Sequence, residues 1–179
     1  MPYDRPPAPG DLARIENFCN SARFLSGEDA LAGLDSARVW LRAYGYGKAA
    51  RTLDEPARSG LVGAREAVRN LLGGDRSPAT LRTLNGLARP SLAPSWTEDG
   101  VELAPPDDAS PVPGVLAALA EAALTGTDQR LKVCAAPDCR WVFYDRSPAN
   151  RGVWCSMDIC GARHKMRAYR ERQTPPANA

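Results

Sequence analysis

The sequence has little of what most enzymes use for catalysis. Its 179 residues include a single histidine, His164. The chain also lacks a glycine-rich phosphate loop, a G-x-S-x-G turn and an H-E-x-x-H metal motif. Because His164 follows the last cysteine by only four residues, no histidine is left over to activate a serine or cysteine nucleophile. We therefore predict that the protein is not an enzyme.

Long apolar segments are also missing. The sequence opens Met-Pro-Tyr-Asp-Arg-Pro, without an apolar signal segment, and no apolar run elsewhere is long enough to cross a membrane. These absences predict a cytoplasmic protein without a membrane partner. In that compartment thiols stay reduced.

Cysteines, by contrast, are concentrated in the last quarter of the chain. Cys134 and Cys139 form one C-x4-C pair, and Cys155 and Cys160 form a second. Each pair offers two thiolates from one turn, which is the ligand arrangement of a tetrahedral zinc site. Four cysteines fill the tetrahedron, so the spacing predicts one structural Zn2+. Disulfides and an iron–sulfur cluster are the alternatives that the spacing leaves open.

Two further candidate ligands have simpler interpretations. His164 follows Cys160 by four residues, so it could replace a ligand but not add to a filled tetrahedron. We interpret it as a solvated helix residue. Cys19 lies alone on an apolar helical stripe and is predicted to be a small buried hydrophobe.

The segment between the two cysteine pairs, with the residues that follow the second pair, predicts a small folded module. Residues 141–144 have the character of a strand, 146–152 of a turn, and Val153-Trp154 of the returning strand. A helix is predicted from near Asp158. On it, Ala162, Met166 and Tyr169 form a packing stripe beside a basic stripe of Arg163, Arg167 and Arg170.

Residues before this module predict five helices and one hairpin. Apolar residues recur at helical spacing after Asp11 (Leu12, Ile15, Phe18, Cys19, Ala22, Leu25), after Asp35 (Val39, Trp40, Leu41, Tyr44) and from Leu61 to Leu72. Ser77-Pro78 opens a fourth helix, and an alanine-rich run with Val115, Leu116, Leu119 and Leu124 forms a fifth that ends at Gly126. The turn at Asp99-Gly100 predicts a hairpin over about residues 91–104.

These elements predict an α+β protein of two units. Residues 1–127 form a mainly helical domain with a small β-hairpin, and 128–173 form a treble-clef-like zinc finger of knuckle, hairpin and helix. Residues 105–113 are predicted to be a rigid proline-rich loop, and 174–179 a disordered tail. A module as small as the finger needs a metal to fold.

Charge is unevenly distributed between the two units. Residues 130–172 contain ten Lys and Arg against four Asp and Glu, whereas residues 1–129 contain thirteen against seventeen. A basic surface of this kind favours a nucleic-acid partner. The candidate contact residues are Arg146, Arg151, Arg163, Lys165, Arg167 and Arg170.

Four short segments carry a resemblance to a known family. Residues 134–139, 143–147, 154–157 and 160–163 read CAAPDC, FYDRS, WCSM and CGAR, with Lys165 and Arg170 following. Together they resemble the CGNR zinc finger. Two positions depart from its pattern: Ala162 stands in place of the motif Asn, and Gly152-Val153 in place of paired arginines.

In that family the finger follows a mostly helical ABATE domain of a stress-induced transcription regulator. Phe18-Cys19-Asn20-Ser21 echoes the early Asn-Thr motif of this domain. The resemblance implies a DNA-binding transcription regulator whose N-terminal domain senses a signal. The two departures remove polar groups, so they imply a weaker sequence preference.

A second hypothesis is a zinc-stabilised module that binds a protein and no nucleic acid. Phe143, Tyr144 and Trp154 bear on it, because exposed aromatic side chains would form a partner surface. We predict that these three side chains instead pack inward beneath the hairpin. The small-molecule effector of the helical domain is not indicated by any residue.

Overall fold

Helices dominate the N-terminal part of the chain. A computed structural model describes residues 5–98, 100–104 and 110–173. The helices of the N-terminal part are α1 (Leu12–Cys19), α2 (Leu34–Ala43), α3 (Gly47–Thr52), α4 (Glu55–Leu72), α5 (Pro78–Ala88) and α6 (Pro111–Thr125). Their apolar faces meet in one core that includes Ile15, Leu41, Val68 and Val115. This is the mainly helical domain that the sequence predicts.

The strands form three antiparallel pairs within the described residues. They are β1 (Ala22–Arg23) with β2 (Glu28–Asp29), β3 (Ala93–Thr97) with β4 (Gly100–Ala104), and β5 (Leu131–Val133) with β6 (Val142–Tyr144). The β3–β4 pair confirms the predicted hairpin and places Trp96 opposite Val101. The predicted α+β class is confirmed.

The C-terminal part begins with a 3₁₀ turn and ends with a helix. Thr127–Arg130 form the 3₁₀ turn, Met157–Gly161 a π-helical turn, and Ala162–Gln173 the helix α7. No helix among the described residues is both long and apolar enough to cross a membrane. The predicted disordered tail, 174–179, lies outside the described residues.

Helix α1 is shorter than its apolar pattern predicts. It ends at Cys19, so Ala22 lies in β1 and Leu25 in the turn that follows. The Ser21 hydroxyl donates a hydrogen bond to the Phe18 carbonyl at 2.8 Å, which competes with continuation of the helix. The Asn20 side chain is meanwhile engaged with β6. These local and distant hydrogen bonds override the helical spacing.

Helix α6 begins inside the loop predicted for residues 105–113. The Ser110 hydroxyl accepts a hydrogen bond from the Val112 amide at 3.3 Å, and buried Pro111 starts the first turn. Residues 105–109 lie outside the described residues. Leu116 and Leu119 are buried as predicted, whereas Leu124 is exposed, because the last turn projects past the core.

Two other predictions for the helices need correction. Val39 was assigned to the apolar face of α2 but is exposed, since the buried side of α2 is formed by Ala37, Trp40 and Leu41. Helix α3 was not predicted, because its sequence GKAART has too few apolar residues to show a helical period.

Two buried arginines of α4 connect it to the β1–β2 hairpin and to α1. Arg65 donates to both carboxylate oxygens of Asp29, at 2.6 and 2.8 Å. One turn later, Arg69 pairs with Glu66 and donates to the Cys19 carbonyl. Both side chains are almost fully buried, and these hydrogen bonds offset much of the cost of removing the charges from water. The Nε atom of Arg69 has no hydrogen-bond partner among the described residues.

Candidate metal centre and basic helix

The four C-terminal cysteines converge on one point. Cys134, Cys139, Cys155 and Cys160 are all buried, and their sulfur atoms all lie within 4.8 Å of one another. The Sγ atoms of Cys139 and Cys155 are 3.5 Å apart, and those of Cys155 and Cys160 are 3.6 Å apart. A tetrahedral zinc ion with bonds of about 2.3 Å holds its sulfurs about 3.8 Å apart.

The chemistry of the four thiols also fits a single divalent cation. Contact with the Cys134 sulfur raises the pKa of Cys155 and raises that of Cys139 to about 12. Four thiols this close therefore do not ionise together unless a cation offsets the charge. A multi-iron cluster spreads its cysteine ligands further apart than one ion does. The site is that of one structural Zn2+, as the spacing predicts.

A tight knuckle presents the first cysteine pair. Cys134 follows β5, and its amide donates to the Trp141 carbonyl at 2.8 Å. The amides of Cys139 and Arg140 both donate to the Ala136 carbonyl, which closes the turn. Arg140 has a φ of 49°, in the left-handed region that non-glycine residues rarely adopt.

The π-helical turn presents the second pair. The amides of Cys160 and Gly161 both donate to the Ser156 carbonyl at 3.0 Å. Cys160 thus lies at the start of α7, where the positive end of the helix favours a thiolate. A Cβ atom on Gly161 would lie 3.1 Å from the Met157 side chain, whose exposed end would have to shift slightly to admit it.

Val153 and Trp154 do not form the predicted returning strand. The buried Asp145 carboxylate instead accepts hydrogen bonds from Lys132 at 2.7 Å and from the amides of Ser147 and Gly152 at 2.9 and 2.6 Å. Burial acts to raise the pKa of Asp145, but the hydrogen bonds from Lys132 and Ser147 outweigh it and hold that pKa well below its usual range. Asp145 therefore shapes residues 145–152, and β6 pairs with β5.

Two family models match this chain. Residues 130–173 match the CGNR zinc finger. Residues 4–126 match the ABATE model, whose description is Putative stress-induced transcription regulator, and this match covers more than half of the sequence. The chain belongs to the ABATE family. No curated protein matches it.

The β5–β6 hairpin of the CGNR finger has two different faces. Leu131 pairs with Tyr144 and Val133 with Val142, and this face packs into the core of the ABATE domain. Phe143, on the other face, packs beside the cysteines and is buried as predicted. Because side chains alternate between the two faces along a strand, one face of the hairpin packs on the ABATE core and the other on the cysteine cluster. The domain division near residue 127 stays a prediction, because the helical core crosses it.

Asn20 of the ABATE domain holds this hairpin by its backbone. Its side-chain amide donates to the Val142 carbonyl at 2.8 Å, and its side-chain oxygen accepts from the Val142 amide at 2.9 Å. Asn20 and Val142 are both buried. The only sequence signal for this contact is the echo of the Asn-Thr motif, which does not indicate the partner.

Arg140 and the β1–β2 turn form a second contact between finger and ABATE domain. The guanidinium groups of Arg140 and Arg69 both stack on the Phe24 ring, at 5.2 and 4.8 Å. Arg140 also donates to the Asn70 side chain at 3.1 Å, and Leu25 packs against the cysteine cluster. These contacts stabilise the unusual backbone of Arg140.

Helix α7 does not pack as its sequence predicts. Ala162 is half-buried, but Met166 and Tyr169 of the predicted packing stripe are 52% and 51% exposed. No residue of α7 is buried. An amphipathic pattern indicates which face would pack but not whether a partner is present.

The predicted nucleic-acid residues fall into two groups. Arg163, Lys165, Arg167 and Arg170 are exposed on α7, and Arg151 is exposed in the preceding loop. Arg146 instead donates to the carbonyls of Pro6 and Pro7, at 3.1 and 2.6 Å, and so holds the N-terminal segment. DNA contact by these residues stays a prediction.

The other two aromatic side chains that were predicted to pack inward are only half-buried. Tyr144 lies against the helical core with the Arg146 guanidinium over its ring at 5.2 Å. Trp154 packs beside the cysteine cluster, and the exposed His164 ring lies 4.8 Å from it. The inward packing predicted for Phe143 is thus complete, whereas that of Tyr144 and Trp154 is partial. His164 is exposed as predicted.

Proposed function

We propose that this ABATE-family protein regulates transcription by binding duplex DNA through α7. The observation that carries the proposal is the exposure of the helix: it has five Lys and Arg against one Glu, and none of its residues is buried. Exposed cations along one helix are suited to neutralising phosphates. The zinc site fixes the start of this helix, so its orientation to the rest of the molecule is set.

The protein acts by binding rather than by catalysis. Four cysteine ligands fill a tetrahedral zinc ion, so no coordination position is open for a substrate or an activated water. The metal's role is to join the knuckle to the start of α7. The backbone of α7 then positions the basic side chains.

Fluorescence anisotropy of zinc-loaded protein with a labelled duplex over a salt series tests this function. Replacing Arg167 and Arg170 with alanine should weaken binding and reduce the slope of log K against log salt by about two units, because each lost phosphate contact releases about one fewer counterion. A matched control replaces Arg82 and Arg89, which are exposed on and just after α5. The control should leave affinity and slope unchanged.

Absence of duplex binding by the zinc-loaded protein at low salt would contradict the proposed function. Exposed Met166 and Tyr169 on α7 favour the second candidate in that case, a protein-interaction module. The two functions separate cleanly. A protein-binding helix should lose its partner when Met166 and Tyr169 are replaced with serine, whereas phosphate contacts should persist.

The ABATE domain is proposed to sense a signal at its contact with the finger. A cavity of about 450 Å³ is lined by Asn20, Asp29, Trp40 and Tyr44, among other residues. A small molecule bound there would contact Asn20, which holds Val142. Compounds that bind this cavity can be found by screening for a change in tryptophan fluorescence. Those compounds should also change the affinity of the protein for DNA. A ligand of this cavity that leaves DNA affinity unchanged would contradict the sensing role.

A further inference from the structure

One basic residue of α7 differs from its neighbours. Arg163 forms an ion pair with Asp138, and each side chain is 43% exposed. Lys165 and Arg167 make no ion pair within the described part of the chain. Asp138 lies in the knuckle between the zinc ligands Cys134 and Cys139. The guanidinium of Arg163 is therefore held by a rigid, metal-bound turn.

This pairing changes what Arg163 is suited to bind. A carboxylate cancels most of the attraction between an arginine and a phosphate. The same carboxylate fixes the planar guanidinium, which reduces the rotamer freedom that a contact would otherwise cost. An oriented guanidinium with donors left over favours a ligand that presents two acceptors side by side.

Space for such a ligand lies beside the pair. A cavity of about 230 Å³ is lined by Asp138, Arg163, Arg167, Trp154 and His164, together with knuckle residues. Arg167 adds a second positive charge to this cavity, whereas the Asp138 carboxylate offsets the charge of Arg163 and disfavours an anion beside Arg163 itself. A neutral, hydrogen-bonding group is therefore the better fit.

We propose that Arg163, held by Asp138, reads the major-groove edge of one guanine. Guanine presents two acceptors there, N7 and O6, which match the guanidinium fork. Adenine presents N7 beside an amino donor, so it offers only one acceptor to the same fork. Arg163 thus supplies base preference, while Lys165, Arg167 and Arg170 supply phosphate contacts. This inference rests on the proposed binding of duplex DNA by α7.

The test compares two duplexes that differ only at the guanine edge. The two duplexes have the same sequence and the same phosphates. In one of them every guanine is replaced by 7-deazaguanine, which lacks the N7 acceptor. Wild-type protein should bind the guanine duplex about tenfold more tightly, in line with the value of one bidentate base contact. Arg163→Ala and Arg163→Lys should both lose this difference, since lysine keeps the charge but not the fork.

Variants at two other positions separate charge from orientation. Asp138→Ala should also lose the difference, yet bind the 7-deazaguanine duplex more tightly, because it removes a negative charge from the interface. Arg167→Ala should weaken binding to both duplexes equally and reduce the salt slope by about one unit. Arg163→Ala should leave the slope nearly unchanged.

Three results would overturn the inference in distinguishable ways. Salt-dependent binding of both duplexes with equal affinity would reject the guanine contact and leave the proposed function intact. No binding to either duplex would reject the proposed function, and this inference with it. Asp138→Ala that lowers thermal stability or zinc content, with the guanine preference unchanged, would show that the pair only fastens α7 to the knuckle.

Discussion

The two halves of the zinc finger lie in opposite surroundings. In the β5–β6 half, Leu131, Val142 and Phe143 are almost completely buried. In the other half, the cysteine turn before α7 is buried, but no residue of α7 itself is. Zinc joins these halves, since Cys134 and Cys139 belong to the first and Cys160 to the second. The comparison indicates that one half completes the fold and the other is available for contact.

Removal of zinc should have the largest effect on this comparison. Structural zinc supplies apparent binding energy of order 10 kcal/mol in small fingers. Because β5 and β6 belong to the helical core, Cys155→Ser or a chelator should lower the melting temperature of the whole protein in one transition. Differential scanning calorimetry measures this, with zinc added back as the control. A separate, unchanged transition for the ABATE domain would show that the finger unfolds alone.

Introducing a charge should reduce the free energy of unfolding much more in the β5–β6 half than in α7. Val142→Asp buries an unpaired carboxylate and should destabilise the protein by about 4 kcal/mol or more. Met166→Asp on α7 should change stability by no more than about 0.5 kcal/mol. Urea unfolding at pH 7 provides both values. Similar costs for the two variants would mean that α7 is covered in solution.

Loss of the Asn20 contact should have the next largest effect. Asn20→Ala leaves the amide and carbonyl of Val142 buried without their partners, at a cost of about 1–3 kcal/mol. Asn17→Ala is a matched control, because Asn17 lies in the last turn of α1, three residues before Asn20, and is only half-buried. Urea unfolding should show a smaller loss for the control. Equal losses would indicate that any change on this face of α1 acts through the helix itself.

The smallest expected effect depends on pH and concerns the loop between the halves. The folded-state pKa of Asp145 lies below its ordinary value, so its stabilising contribution is present above the unfolded pKa of about 3.9 and is lost as pH falls through the folded value. Asp145→Asn should therefore be destabilised by about 2 kcal/mol at pH 7. The difference from wild type should narrow below pH 4. A constant difference across this range would contradict the assignment.

The sequence predicts features that depend on residues close together in the chain better than features that depend on particular side-chain contacts. The zinc site is predictable because four cysteines at fixed spacing leave few alternatives. The returning strand at Val153-Trp154 was wrong because the side chain of Asp145 binds the backbone amides of this loop. No local pattern shows that an aspartate will do so.

Contacts between residues far apart in the chain also could not be predicted from the sequence. Asn20 and Val142 are separated by 122 positions, and nothing in either segment identifies the other. The pairing of Asp138 with Arg163 has the same character. Periodicity correctly placed α1, α4 and α6 in the core, yet it could not show that the apolar stripe of α7 has no partner.

The contact between Asn20 and Val142 also has a consequence for synthesis of the chain. The finger leaves the ribosome after α1. Until residue 142 emerges, the helical core lacks Leu131 and Val142, so an apolar face stays open. We expect the final closure of this face to coincide with zinc uptake. The expected consequence is that a low supply of zinc prolongs the time during which this apolar face is open to aggregation.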